Sequence, residues 1–299
     1  MIPGEFTYKR PNSKSEALAM LSGGSQEARA IAGGHSILPM MKLRMATPEV
    51  LVDISALSEL KGISIGKNIE IGASVTQHEM LSSQELLKAC PIISETAKLI
   101  ADPQIRYCGT IGGNVGNGDP GNDMPALMQC LDATFILENV SGSREVAARD
   151  YYQGAYFTSA KAGEIVTKIQ FKTPDPAHGF AYQKLKRKVG DYATAAAAVV
   201  LEVSKGKVKH ASIALTNLAD TPLYARAASE MLIGTELNET DIKAAVTAAQ
   251  AVTAPVEDQR GSIDYKVAMA GVMVSRALQL AKSRAGEAKK GGPLGWLKR

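Results

Sequence analysis

Only three cysteines, Cys90, Cys108 and Cys130, occur in 299 residues. They form no C-x-x-C pair and leave an odd thiol under any disulfide scheme, so they read as small buried apolar side chains. An iron–sulfur cluster normally needs four thiolates, which this chain cannot supply. Histidine is nearly as scarce. The four, at positions 35, 78, 178 and 210, lack metal-ligand spacing, and no metal site is expected. Aromatic residues make up 5% of the chain, and no basic stripe with interleaved aromatics runs through its body, which argues against a nucleic-acid partner. Long apolar runs are missing too. Residues 1–13 have no signal-peptide core, and the weakly polar run 193–203 is alanine-rich and broken by Glu202, so a cytoplasmic protein without a membrane span is expected.

What is present suits a soluble globular chain: 45% hydrophobic and 21% charged residues, a net charge of +4, and enough length for two domains. The basic excess gathers near the end, where Lys282, Arg284, Lys289, Lys290, Lys298 and Arg299 face Glu287 alone.

The pattern begins with a small α/β unit. Residues 15–21 have helical spacing, 30–32 read as a short strand, and the scarcely alternating run 50–54 reads as a buried strand. From Gly62, isoleucines 63 and 65, then 69 and 71, alternate about Gly66-Lys67-Asn68 and predict an antiparallel hairpin. Thr76 and Glu79 have capping-box spacing, predicting a helix over 77–87, and Pro91 opens a second helix to 101. Residues 108–123 hold six glycines, three asparagines, two aspartates and a proline, which predicts an ordered loop without regular structure. A helix over 124–131 follows, with Asp123 expected as its N-cap. Residues 133–137 and 164–171 are strand-like. Pro174-Asp175-Pro176 is the strongest linker signal and sets the expected boundary. Beyond it, strands at 181–185, 195–203 and 208–215 precede helices at 225–231, 241–253 and 263–281, an α+β order.

Two bends concentrate chemistry: Ala32-Gly33-Gly34-His35-Ser36 and Thr110-Ile111-Gly112-Gly113-Asn114. Glycine lets a backbone close on an anion and aim consecutive amides at it, and Ser36, Thr110 and Asn114 add side-chain donors. Together they suit a pyrophosphate; the plainer alternative is two ordinary tight turns. Neither bend carries the Rossmann G-x-G-x-x-G or the nucleoside-triphosphate P-loop pattern.

The run A-G-G-H-S-I-L-P-M-M-K-L-R at 32–44, T-I-G-G-N at 110–114, D-P-G-N-D-M-P-A at 119–126 and Y-Q-K-L-K-R-K-V-G-D-Y-A at 182–193 resemble, in this order, the medium subunit of the carbon monoxide dehydrogenase and xanthine dehydrogenase family. The resemblance covers nearly the whole chain. It implies an α+β architecture: a vanillyl-alcohol-oxidase (PCMH)-type FAD-binding domain over 1–176, in lobes of about 1–57 and 58–176, and a C-terminal domain of antiparallel sheet plus helices over 177–285. A basic tail would occupy 286–299. By position, Ala32, Gly33, Gly34, His35 and Ser36 with Thr110, Ile111, Gly112, Gly113 and Asn114 would wrap the FAD diphosphate and nearby atoms. Asp123 would hold a polar edge of the cofactor, Ile100 and Val166 would make apolar contacts, and Lys184, in competition with Gln183, would make a basic one. Tyr192 either covers the flavin ring or is a core tyrosine with a satisfied hydroxyl. A structural or flavin-contacting role suits His35 better than acid–base catalysis, and no catalytic residue is expected.

The family reading gives an electron-relaying subunit of a molybdenum hydroxylase. Electrons would come from a small [2Fe–2S] subunit, substrate oxidation would occur in a large molybdopterin subunit, and FAD would deliver to an external acceptor, in a dimer of heterotrimers. Two alternatives stay open: a self-contained FAD-dependent reductase of the same fold, similar to the reductase of peptidoglycan-precursor synthesis, and a non-catalytic assembly module. The end, Leu294-Gly295-Trp296-Leu297-Lys298-Arg299, reads as a solvated terminus or as a docking peptide.

Overall fold

A computed structural model describes residues 2–22 and 27–286. The expected tail peptide lies outside the described residues. Three strands, β1 (Thr7–Lys9), β2 (Ala28–Ile31) and β3 (Val50–Asp53), form the first lobe with helices α1 (Lys14–Ser22) and α2 (Ile37–Lys42). β3 pairs in parallel with both neighbours. A central parallel strand is covered on both faces, which is why 50–52 are apolar without alternation and buried.

The second lobe is a five-stranded antiparallel sheet in the order β4 (Ile63–Ile65), β5 (Asn68–Gly72), β10 (Ile165–Lys172), β6 (Thr134–Asn139), β7 (Gly142–Ala147). The hairpin at Gly66-Lys67-Asn68 forms as expected, with Ile63 opposite Ile71 and Ile65 opposite Ile69. Between β5 and β6 run α3 (Gln77–Ser82), α4 (Gln84–Ala89), α5 (Pro91–Leu99), α6 (Pro103–Cys108), α7 (Ile111–Gly116) and α8 (Asp123–Cys130). A short α9 (Ala148–Tyr151) and the pair β8 (Tyr152–Gly154) and β9 (Phe157–Thr158) precede β10.

Several expectations need correction here. The helix expected over 77–87 is two: Ser83 leaves helical geometry, and its hydroxyl accepts from the Leu86 amide, so a serine inside the pattern caps a new helix instead of continuing the old one. The glycine-rich stretch 108–123 contains a helix after all. Thr110 nucleates α7 by accepting from the Gly113 amide, which offsets the poor propensity of its three glycines. Asp123 is not the cap of α8 but its first residue; Asn122 occupies the cap position without a side-chain bond, and the Asp123 carboxylate is used elsewhere. Cys90 and Cys130 are buried, but Cys108 is exposed, at the end of a helix, α6, that buries none of its residues.

The C-terminal part is a four-stranded antiparallel sheet, β11 (Gly179–Leu185), β12 (Ala195–Ser204), β13 (Lys207–Thr216) and β14 (Leu223–Tyr224), with α10 (Arg226–Glu230), α11 (Glu239–Gln250) and α12 (Ile263–Arg284). β12 explains the alanine-rich run. Its odd positions Ala195, Ala197, Val199 and Leu201 share one core with the helices, and Ala196, Ala198 and Val200 share another with the second lobe. With period-2 alternation both faces are buried, and small side chains let packing layers approach from each side. The core therefore continues past the prolines at 174–176, because Phe180 and Tyr182 of β11 join Ile92, Ile93 and Met128 of the second lobe. Among the described residues no helix is long and apolar enough to cross a membrane.

Candidate functional site

The first bend begins where β2 runs out at Ile31. Gly34 has φ +73, a left-handed conformation that glycine adopts without a Cβ clash, and the chain then turns into α2. Ser36 sits at the cap position of α2, but its side chain makes no cap bond. The amides of Gly33, Gly34, His35 and Ser36 have no acceptor among the described residues. Four consecutive unspent donors are what an anion-binding concavity supplies.

The second bend lies against the first. A Cβ on Gly33 would stand 2.3 Å from the Cys108 carbonyl oxygen and 2.8 Å from the Gly109 Cα, so only glycine lets these backbones meet. The first bend and the two residues leading into the second thus share one seam. Their amides do not share one purpose. Ile111 donates to Val75 O at 2.9 Å, Gly112 to Ala73 O at 2.8 Å, Gly113 to the Thr110 hydroxyl at 3.0 Å and Asn114 to Thr110 O at 3.0 Å. The expected convergence of amides from both bends on one anion is therefore replaced by a division of labour. The first bend keeps its donors free, and the second spends two on residues 73–75 and two on Thr110. Gly112 is glycine because its missing Cβ would meet Ala73 Cβ at 2.5 Å.

From the last residue of α7 onward the chain carries Gly116, Gly118 and Gly121, which do have G-x-G-x-x-G spacing. The segment follows a helix rather than a strand and contains Pro120, so it lacks the strand–turn–helix context of a Rossmann site. It is an ordered loop instead. Asp119 accepts from the Gly121 amide at 2.9 Å, Gly118 O accepts from the Tyr156 amide at 2.8 Å, and the Asn114 side chain accepts from the Met124 amide at 3.3 Å.

Asp123 and Lys184 meet beneath this loop. Lys184 Nζ donates to Asp123 Oδ2 at 2.8 Å and to Leu99 O at 3.3 Å, while the Tyr182 hydroxyl donates to Asp123 Oδ1 at 2.6 Å. Only 1% of the Lys184 side chain and 6% of the Asp123 side chain are exposed. Burial pushes the Asp123 carboxyl above its ordinary value, and the Lys184 ammonium beside it opposes that rise. Burial also lifts the Tyr182 phenol, which keeps it a donor. The pleat decides which residue of the Gln183–Lys184 pair faces inward: Lys184 lies two residues from Tyr182 and shares its face. Nearby Lys186 has its ammonium depressed by burial and by Lys184.

At the rim, Tyr192 is 44% exposed, so it is not a core tyrosine. Its ring leans on Gly121, where a Cβ would come 2.8 Å from Cδ1. Tyr156, held at φ +63, donates from its hydroxyl to Asp119 at 3.2 Å. Burial, and then the charge of Asp119, push the Tyr192 phenol well up.

Of the residues expected at the site, the structure brings Gly33 onto the backbone at Cys108 and Gly109, pairs Asp123 with Lys184, and bonds Asn114 to the neighbouring Asn122 and Met124. Ile100 and Val166 are buried members of the second-lobe core. His35 is exposed on the first bend. Sequence reasoning missed Tyr182, whose place across from Asp123 depends on β11 docking onto α5 and α8. It also missed Asn217, whose side chain holds Ala193 O at 2.6 Å while its amide holds Pro120 O at 3.0 Å. Asn217 lies at φ +61, a conformation asparagine tolerates, but no local motif marks it.

Comparison with known proteins establishes the family and the fold. Residues 4–174 match the family described as FAD binding domain in molybdopterin dehydrogenase, and residues 180–281 match the CO dehydrogenase flavoprotein C-terminal domain. The chain is 56% identical over 286 residues to the carbon monoxide dehydrogenase medium chain of Afipia carboxidovorans, covering 95% of this chain and 99% of that one. It is 46% identical over 285 residues to the corresponding chain of Hydrogenophaga pseudoflava, with 95% and 99% covered. Among solved structures, reconstituted CO dehydrogenase from Oligotropha carboxidovorans superposes with a TM-score of 0.94 at 56% identity, covering 95% of this chain and 100% of that one. With two family matches in register and relatives aligned from end to end, this chain belongs to the FAD-binding medium subunits of the CO dehydrogenase and xanthine dehydrogenase family, oxidoreductase subunits of molybdenum hydroxylases.

Proposed function

We propose that the chain binds one FAD in the seam between residues 32–36 and 108–110, as the electron-relaying subunit of a carbon monoxide-oxidising complex. A single observation carries the reading: four unspent amides in the first bend lie beside a glycine whose missing Cβ lets the second bend close against it. When bound, FAD supplies the exchange of electrons singly or in pairs. The chain's own residues do the rest. Amides of Gly33 to Ser36 hold the diphosphate, and the buried Asp123–Lys184–Tyr182 group offers a fixed polar edge. Tyr192 shields the ring, and Ile100 and Val166 keep the floor apolar.

In this proposal electrons arrive from the [2Fe–2S] clusters of a small partner subunit and leave to an external acceptor. Oxidation takes place in a large molybdopterin subunit, within a cytoplasmic dimer of heterotrimers. The names of the relatives at 56% and 46% identity, medium chains of carbon monoxide dehydrogenase, support a place beside other chains and carbon monoxide as the substrate. Division of the chain at 174–176 into a flavin-holding part and a C-terminal part belongs to the same proposal.

The test is the purified full chain. It is expected to be yellow, with FAD near one equivalent, and to oxidise no carbon monoxide without its partners. A colourless chain that takes up no added FAD would leave the bends purely structural, and NADPH turnover with a small substrate by the chain alone would make it a self-contained reductase.

A further inference from the structure

The turn that carries Tyr192 has no core of its own. Val189 and Gly190 are exposed, and Gly190 has φ +84. What fixes it comes from the far end of the sequence. Asp191 is buried within the turn, and its carboxylate accepts from Arg187 Nε at 3.1 Å, from Arg260 Nη2 at 3.1 Å and from the Tyr192 amide at 2.9 Å. The Arg260 guanidinium also stands 5.6 Å from the centre of the Tyr192 ring, within the range of a cation–π contact.

Arg260 is itself held rigidly. Asp258 and Gly261 bond to each other's backbone at 3.3 and 3.1 Å, and Gly261 lies at φ +150. A Cβ there would come 2.5 Å from the Tyr265 ring, so that ring packs directly on the turn. Asp258 accepts from the Arg260 amide at 2.7 Å and from the buried ammonium of Lys266 at 2.9 Å, and Lys266 also donates to Val256 O at 2.7 Å. Alternating charges thus run from Lys266 on α12 through Asp258, Arg260 and Asp191 to Arg187. Arg260, within that chain, also faces the aromatic ring that leans on Gly121.

We propose that Arg260 is a positioning residue for the flavin site, fixing the Asp191–Tyr192 turn so that the Tyr192 ring covers the cofactor. This rests on the proposed function. A planar, forked guanidinium suits the role because one group reaches a carboxylate with one nitrogen while offering its face to a ring. A lysine at the same place keeps the charge but loses that fork. The inference assigns part of the C-terminal region a task at the flavin rather than in packing alone.

The full chain loaded with FAD tests it through flavin fluorescence, which a tyrosine ring in contact with the flavin quenches. Tyr192→Leu is expected to raise fluorescence per bound FAD several-fold. Arg260→Ala is expected to raise it in the same direction, Arg260→Lys to restore part of the quenching, and Arg260→Ala combined with Tyr192→Leu to exceed Tyr192→Leu alone by nothing. If Arg260→Ala fails to fold, Arg260→Gln, which keeps the stem and a donor, is expected to show the rise. Wild-type fluorescence in whichever Arg260 variant folds, with only a lower Tm, overturns the proposal, as does unchanged fluorescence in Tyr192→Leu. Absence of FAD from the wild-type chain would instead sink the function it rests on.

Discussion

In the bend at 32–36 the amides of Gly33, Gly34, His35 and Ser36 have no acceptor among the described residues, whereas in the bend at 110–114 those of Ile111, Gly112, Gly113 and Asn114 are bonded to Val75, Ala73 and Thr110. Both contain a Gly-Gly pair, and in both a glycine is needed because another backbone or side chain occupies the space of its Cβ. The difference lies in what the amides do. A glycine pair tells of close approach, not of whether the freed N–H groups serve a ligand or the fold. In the proposed function one bend is the cradle and the other is the wall on which it rests.

The largest effect that would break this comparison is expected at Gly112. Gly112→Val places methyl groups into Ala73, and the overpacking is expected to cost about 3 kcal/mol of stability. Urea denaturation checks it, and the folded fraction is expected to retain FAD; a stable protein with weakened FAD binding would make the second bend a cradle as well. Next comes Gly33→Ala. Its Cβ would press on the Cys108 carbonyl, forcing the seam apart at a place where no hydrogen bond joins the bends among the described residues. FAD affinity is expected to fall at least about tenfold, or roughly 1.4 kcal/mol, with a smaller loss of stability. Titration with FAD alongside a melting curve separates the two. Ser36→Ala should do least. With no cap bond to lose, stability is expected to stay within about 0.5 kcal/mol, while FAD affinity weakens measurably. A marked fall in Tm without a change in affinity would show that the hydroxyl serves the fold instead.

Local signals were legible wherever the neighbours in sequence are also the neighbours in space. The hairpin at Gly66-Lys67-Asn68 and the capping box formed by Thr76 and Glu79 are contained within a few residues, and both form. Ser83 was misread because a hydroxyl can be tolerated inside a helix or can start a new one, and the helix at 111–116 was missed because its three glycines outweighed the one capping hydroxyl of Thr110. Asp123 was misread as a cap for a different reason. Its first claim is from Lys184, 61 residues away, and a buried charge takes its partner ahead of a solvent-side capping role. Breaking such a pair by removing one member typically costs about 3–5 kcal/mol, more than a cap contributes.

By itself the sequence determined most of the strands and longer helices, the positions of the two glycine bends and, through the order of four motifs, the family. These depend on propensity, turn chemistry and pattern, which are properties of short segments. Only the tertiary structure decided which amides remain free, that Lys184 rather than Gln183 faces Asp123, and that Arg260 and Asn217 reach the Tyr192 turn from the C-terminal region. Each of those follows from how sheets and helices distant in the chain dock on one another, because a hydrogen-bond donor is spent or spared by whichever acceptor packing brings within about 3 Å of it.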